Sequence, residues 1–406
     1  MRQSTDGRGE RLLHAFLAEV HSTSPTNLAA LVNRHAVQLG LGQVDIYLVD
    51  LQQRQLTLLS GEGRLPVDAS LAGWAFRAVS LRVEGTDAGS LVVWLPLMDG
   101  VERLGVVGIH LDSLDSTRLQ RCRTLASVLA MAITSKRAFS DRFVQQARTG
   151  TMALPAEMLR ALLPPRAIGE DRVISTAVLE PAYELGGDAF DHALTESTLH
   201  AVILDAMGHN LASGLTTAIA MAGCRSARRK GSGLRELVKT VDDALSDWLP
   251  EQFCTGIVMQ LDLPSGILSW VNCGHPPPLL IRDHQVLENA LEYPGEPPMG
   301  TPATLGGSPR VVHEVPLEPG DRVILYTDGV TEARLAGGSQ FGLAGFTTSI
   351  IRATAAGELA SEALRQLIHS ILEHQNDKLD DDATILMIEW RKPGDRQYRT
   401  APTGAA

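Results

Sequence analysis

Apolar residues recur at two different periods along the chain, and the changes of period divide it. Leu12, Leu13, Phe16, Leu17 and Val20 fall at helical spacing. A second helix is predicted after Ser24-Pro25, with Thr26 and Asn27 in its first turn. Leu28, Leu31, Val32, His35 and Leu39 follow, and Gly40 and Gly42 end it. Residues 44–50 and 55–60 then read as a hairpin around Gln52-Gln53-Arg54, and residues 91–97 and 104–110 as another around Met98-Asp99-Gly100. A small α+β domain over residues 10–115 is expected.

A long helical stretch is predicted over residues 116–148. Leu119, Cys122, Ala126, Leu129, Ile133, Lys136, Ser140, Phe143 and Ala147 alternate at spacings of three and four, which is a heptad seam with several small or polar members. Two readings stand: a helix packed on its own domain, or a parallel signalling helix at a homodimer interface. Leu154 to Leu163 extends this connector, and Pro164-Pro165 stops it, so that it spans residues 116–165.

Strand patterns dominate after that. Residues 173–180 and 199–205 read as strands, and 211–230 and 234–249 as helices. The first of these helices ends in Arg228-Arg229-Lys230 and Gly231, basic residues that compensate the helix dipole. Hairpins are predicted over 255–272, around Pro264-Ser265-Gly266, and over 279–288. Strands at 311–315 and 322–327, a helix at 359–372 and a strand at 383–390 close the domain, which spans residues 166–390. Strands pair with strands and helices come in blocks, which favours sheet-on-sheet α+β architecture over a Rossmann-like alternation. The polar, Pro- and Gly-containing residues 391–406 are expected to be a disordered tail.

Composition narrows the class. A chain of 406 residues, 44% hydrophobic and 20% charged, has apolar mass for two or three cores. Its 36 Lys and Arg against 47 Asp and Glu give a net charge of −11, which argues against a nucleic-acid partner. Cys122, Cys224, Cys254 and Cys273 show no Cys-x-x-Cys pairing, which suits neither a zinc ribbon nor a disulfide scaffold and fits a reducing compartment. The first ten residues lack an apolar signal core and no apolar run reaches membrane-spanning length. A cytoplasmic protein without a membrane partner is expected.

The candidate chemistry lies in aspartates at the ends of strand-like runs. Asp188 follows Gly186-Gly187, Asp205 ends Ala201-Val202-Ile203-Leu204, and Asp328 follows Val323-Ile324-Leu325-Tyr326-Thr327. Asp380, Asp381 and Asp382 precede Ala383-Thr384-Ile385-Leu386. One Asp-Gly alone is most simply a turn. A set of carboxylates emerging from buried strands repel one another unless a cation compensates, and their hard oxygens suit magnesium or manganese.

The ordered motifs Glu180-Pro181-Ala182-Tyr183-Glu184-Leu185-Gly186-Gly187-Asp188, Leu204-Asp205-Ala206-Met207-Gly208-His209, Asn272-Cys273-Gly274-His275-Pro276-Pro277-Pro278, Gly320–Ala333 and Asp381-Asp382-Ala383-Thr384 closely resemble the metal-dependent serine/threonine phosphatases of the PPM (protein phosphatase 2C-like) class, in their bacterial SpoIIE/RsbU branch. The resemblance covers about residues 155–390. Residues 10–115 resemble a GAF sensor domain, on the helix–helix–hairpin order and Asp99-Gly100-Val101-Glu102-Arg103-Leu104-Gly105-Val106-Val107. The implied fold is a PPM-type β-sandwich flanked by helices, preceded by the GAF-like domain and the connector.

What the resemblance implies is a hydrolase with two divalent cations, Mn2+ or Mg2+. Asp205 matches the carboxylate that bridges them, the backbone carbonyl of Ala206 and Asp188 lie toward one ion, and Asp328 and Asp381 toward the other. Asp382 matches a neighbouring supporting position. The cations activate a water for attack on phosphorus, and no covalent nucleophile is needed. The family's Gly-His-Gly is Gly208-His209-Asn210 here, with Asn210 expected to tolerate a positive φ in place of glycine. His209 is read as ordering its loop and His275 as a turn residue. No phosphate-gripping arginine is assigned, since nothing marks Arg166 or Arg172. The resemblance further implies a phosphorylated protein substrate, an anti-sigma-factor antagonist in a partner-switching pathway. It also implies regulation through the N-terminal domain and its unidentified small ligand. The competing reading is a catalytically silent phosphatase fold that signals by binding.

Overall fold

The computed structural model describes residues 15–86, 89–184, 186–208, 210–301, 310–333, 340–375, 379 and 381–391. The chain folds as two compact units that divide between Gly150 and Thr151.

In the first unit, helix α1 over residues 15–22 and α2 (Leu28–Gln38) precede strands β1 (Val44–Val49), β2 (Gln55–Leu58) and β3 (Arg64–Pro66). Helix α3 (Leu71–Arg77) and strands β4 (Arg82–Gly85), β5 (Leu91–Asp99) and β6 (Glu102–Leu111) follow. The strands form one antiparallel sheet in the order β3-β2-β1-β6-β5-β4. Both hairpins form as the alternation predicts; the short edge strands β3 and β4 add to them.

The predicted helix over 116–148 is two helices, α4 (Ser116–Arg137) and α5 (Asp141–Ala147). Ser140 takes extended angles and its hydroxyl accepts the Arg142 N–H, so a new N-cap interrupts the run. Cys122, Ala126, Leu129, Ile133 and Phe143 all lie in the first unit's own core. The buried Lys136 ammonium donates to the Thr23 carbonyl at 2.5 Å. These seam residues pack on the helix's own domain, as the first of the two readings has it.

The second unit begins with α6 (Leu154–Leu162), which Pro164-Pro165 terminates as expected. Strands β7 (Ala167–Gly169), β8 (Val173–Glu180), β9 (Asp188–Leu194) and β10 (Thr198–Ala206) come next, then α7 (Leu211–Arg229) and α8 (Leu234–Trp248). They are followed by β11 (Cys254–Asp262), β12 (Ile267–Cys273), β13 (Leu279–Arg282), β14 (Gln285–Val286), β15 (His313–Pro316) and β16 (Arg322–Tyr326). Helices α9 (Asp328–Thr331), α10 (Gly342–Ala355) and α11 (Ala360–His374) precede the last strand, β17 (Ala383–Trp390).

Two antiparallel sheets result, in the orders β15-β12-β11-β10-β9 and β14-β13-β16-β17-β8-β7. One core lies between them and includes Leu199, Ile203, Trp270, Leu325 and Leu386. A second lies between the five-stranded sheet and α7 and α8, and a third between the six-stranded sheet and α10 and α11. The central strands β8 and β17 are therefore buried on both faces at every residue, which explains their near-continuous apolar sequences. The fold is the expected sandwich flanked by helices. Among the described residues no helix is long and apolar enough to cross a membrane. The expected tail lies outside the described residues, apart from Arg391.

Candidate functional site

Strand parity gathers the carboxylates. Leu199, Ala201 and Ile203 of β10 face the core between the sheets, while Val202, Leu204 and Ala206 face α7 and α8. A period of two then aims Asp205 into the sandwich, at the end of its strand. Asp188, the first residue of β9, is its cross-strand partner and shares its face.

The same parity runs along the opposite sheet. Val323 and Leu325 of β16 and Leu386 and Ile388 of β17 face inward, while their alternates face α10 and α11. Thr327 and Thr384 therefore point inward beneath Asp188. The Thr327 hydroxyl donates to Asp188 Oδ2 at 2.8 Å and the Thr384 hydroxyl to the same oxygen at 2.7 Å. These two bonds tie one sheet to the other across the end of the sandwich.

Asp382, just ahead of β17, holds the loop that leads into β9. Its Oδ2 accepts the backbone N–H groups of Gly186 at 3.0 Å, Gly187 at 2.7 Å and Asp188 at 3.1 Å. Asp381 Oδ1 accepts the Asp382 N–H at 2.9 Å. Asp328 opens α9 directly after Thr327, and a Cβ on Gly329 would stand 2.1 Å from the Asp382 carbonyl oxygen. Glycine is required for that close approach of two backbones.

Gly187 serves the same purpose at the end of β10. A Cβ there would lie 2.4 Å from the Ala206 carbonyl oxygen and 2.6 Å from that of Gly208. The Ala206 N–H donates to the Gly187 carbonyl at 3.2 Å, and the Thr217 hydroxyl of α7 donates to the same carbonyl. The turn between β10 and α7 differs from expectation. Asn210 is extended, with φ −104°, and caps α7 by accepting the N–H groups of Ala212 and Ser213. The positive φ of the turn, +86°, belongs to Gly208. Asn210 is there as a helix cap, not as a substitute for a left-handed glycine.

Like charges dominate the electrostatics. Burial and then the neighbouring Asp328, Asp381 and Asp382 carboxylates push the Asp205 carboxyl up to about 7. Burial and then the charges of Asp205 and Asp382 hold Asp188 well above the usual carboxylate range, against the pull of the two threonine hydroxyls. Burial followed by Asp381 raises Asp328. Burial also raises Asp382, opposed by its three backbone donors. Among the described residues no arginine, lysine or histidine forms an ion pair with any of these five aspartates.

Asp188, Asp205, Asp328, Asp381 and Asp382 thus come together with the Ala206 backbone. His209 and Asp380 lie outside the described residues. His275 sits in a tight turn, where its N–H and carbonyl both bond the Asn272 side chain at 2.8 Å and Nδ1 lies 3.0 Å from the Thr255 hydroxyl. The Arg172 guanidinium lies over the Trp390 ring, 4.9 Å from its centroid. Sequence reasoning missed Thr327 and Thr384 as site residues, although inward parity from the flanking strands marks both. As a donor set the site suits hard divalent cations: uncompensated carboxylates, a backbone carbonyl at β10's end and a glycine cradle beside it. Among the described residues, no three carboxylate, imidazole or thiol side chains are closed to the point of holding an ion.

Comparison with known proteins places a family match inside the second unit. Residues 195–391 match the family described as stage II sporulation protein E (SpoIIE). The phosphoserine phosphatase RsbP of Bacillus subtilis (strain 168) is 28% identical over 171 residues, 41% of this chain and 41% of RsbP. The phosphoserine phosphatase RsbU of the same organism is 21% identical over 251 residues, 61% of this chain and 72% of RsbU. The chain spans less than half the length of RsbP. Among solved structures, the SiaA-PP2C domain of Pseudomonas aeruginosa is 22% identical, covering 58% of this chain and 93% of that one, with a TM-score of 0.49.

Proposed function

We propose, from the premise that the second unit is a SpoIIE-type domain of the PPM phosphatase class, that this protein hydrolyses phosphoserine or phosphothreonine on a partner protein with divalent metal ions. The observation that carries the proposal is the convergence of Asp188, Asp205, Asp328 and Asp381 with no ion-paired cationic side chain among the described residues, and with Asp205 pushed up to about 7 by burial and then by its carboxylate neighbours. Carboxylates in that state are stable as anions only with a cation among them.

Asp205 would be the carboxylate shared by two ions, with Asp188 and the Ala206 carbonyl toward one and Asp328 and Asp381 toward the other. Two Mn2+ or Mg2+ ions so bound would supply an activated water and neutralise charge on the phosphoryl oxygens. The chain's own part is geometric. Asp382 fixes the loop before Asp188 through three backbone donors. Gly187 and Gly329 let main chains approach where any side chain would collide.

The substrate class follows from relatives that are phosphoserine phosphatases, and an anti-sigma-factor antagonist is the form proposed for it. The first unit is proposed to regulate the second as a GAF-like sensor; its single antiparallel sheet with packed helices supports that reading. The test is phosphate release from a phosphoserine protein. Wild type is expected to turn over with Mn2+ and to stop with chelator, and Asp328→Ala to be inactive. Activity unaffected by both changes refutes the proposal. Removal of residues 1–150 is expected to change the basal rate.

A further inference from the structure

A carboxylate has two oxygens, and protein hydrogen bonds gathered on one of them leave the other open to a cation. In Asp188 the division is explicit. Oδ2 accepts both threonine hydroxyls, at 2.8 Å from Thr327 and 2.7 Å from Thr384, and Oδ1 takes neither bond.

The two threonines form a closed unit of their own. The Thr327 N–H donates to the Thr384 carbonyl at 3.0 Å, and the Thr384 N–H donates to the Thr327 hydroxyl oxygen at 2.9 Å. That accepted bond occupies a lone pair of the Thr327 oxygen and turns its proton toward Asp188. Both residues are fully buried, and Asp188 is 2% exposed, so water does not compete for these bonds. The pair sits on the inner faces of β16 and β17 extended, while Asp188 belongs to the other sheet.

We propose that Thr327 and Thr384 are positioning residues, a hydroxyl pair that holds Asp188 by Oδ2 and presents Oδ1 to a hard divalent cation. The proposal rests on the metal-dependent reading of the site. Partners of a ligating carboxylate fix its orientation and commonly change metal affinity ten- to a hundredfold when removed. A valine at either position keeps the shape and the β-branch and removes the hydroxyl; at Thr384 only a donor is lost, whereas at Thr327 the acceptor of the Thr384 N–H goes with it.

The experiment measures Mn2+ affinity of the full chain by isothermal titration calorimetry, with thermal unfolding of the metal-free protein alongside. Thr327→Val and Thr384→Val are each expected to weaken Mn2+ binding by about tenfold, while Thr327→Ser and Thr384→Ser stay close to wild type. In an Asp188→Ala background the valine exchanges are expected to weaken binding no further, because the threonines act through Asp188. If a valine variant does not fold, Thr384→Ala removes the same hydroxyl without adding a methyl group. Wild-type affinity in the valine or alanine variants, or an equal further loss in the Asp188→Ala background, overturns the positioning role alone. A wild-type chain that binds no Mn2+ overturns the metal reading, and this proposal with it.

Discussion

Asp382→Ala isolates the part of the site that the protein builds without any ligand. The substitution leaves the N–H groups of Gly186, Gly187 and Asp188 without the oxygen that accepts all three, at 3.0, 2.7 and 3.1 Å. Hydrogen bonds to a charged acceptor contribute about 1.5–3 kcal/mol each. Their sum is an upper bound, because burial and the neighbouring Asp381 oppose the Asp382 charge. A net loss of about 4 kcal/mol is expected, or a melting temperature lowered by about 8–16 °C for a unit of this size. Asp382→Asn keeps an acceptor oxygen and is expected to lose about 1–2 kcal/mol. Hydrogen exchange read by mass spectrometry over residues 181–194, with urea unfolding of the same samples, measures both the local and the global effect. Asp382→Ala should lose protection in that segment well below the denaturant midpoint. Wild-type protection and midpoint in Asp382→Ala would refute the claim that this carboxylate organises the loop.

Three further outcomes follow from the same geometry. Gly187→Ala places a Cβ 2.4 Å from the Ala206 carbonyl oxygen, and should both destabilise the second unit by about 2–4 kcal/mol and weaken Mn2+ binding, read by unfolding and calorimetry. His192, buried and neutral, bonds the Pro165 carbonyl through Nε2 at 2.7 Å and the Ser175 hydroxyl through Nδ1 at 2.8 Å, and burial lowers it from 6.5 to about 4. The unfolded chain then binds the extra proton, so stability is full above pH 6.5 and falls by about 3 kcal/mol as pH drops to 4. Unfolding midpoints of His192→Gln should lack that part of the slope. Asp191→Asn leaves Arg225 and Arg228, which reach Asp191 at 2.7 and 2.5 Å, without their buried counter-charge, and should cost about 3 kcal/mol in urea unfolding.

The carboxylates were readable in the sequence because apolar strand runs stop at them, and the order of motifs tied them to one family of sites. The elements that escaped had sequences at odds with their structure. Strand β9, Asp-Ala-Phe-Asp-His-Ala-Leu, carries charge in its interior and is not among the predicted strands. It forms because Arg225 and Arg228 neutralise Asp191, and because Ser175 and the Pro165 carbonyl satisfy His192. Helix α10 has two glycines, three threonines and two isoleucines in 14 residues, a weak helical sequence that burial of Phe346 and Ile350 against the six-stranded sheet sustains. The break at Ser140 was hidden because a heptad pattern survives a change of helix if the same face stays buried. Thr327 and Thr384 were legible only by parity, counted from the flanking core residues, since threonine in a strand carries no chemical signal by itself.

The central claim is that the Asp205 cluster hydrolyses a phosphoprotein through divalent cations. It is tested most directly by titrating the chelator-treated 406-residue chain with Mn2+ while following both bound metal and phosphate release from a phosphoserine protein. Two Mn2+ per chain are expected, with turnover rising as they bind and both signals abolished by Asp205→Asn. Turnover before any Mn2+ is added, or Asp205→Asn with wild-type binding and rate, would contradict the account.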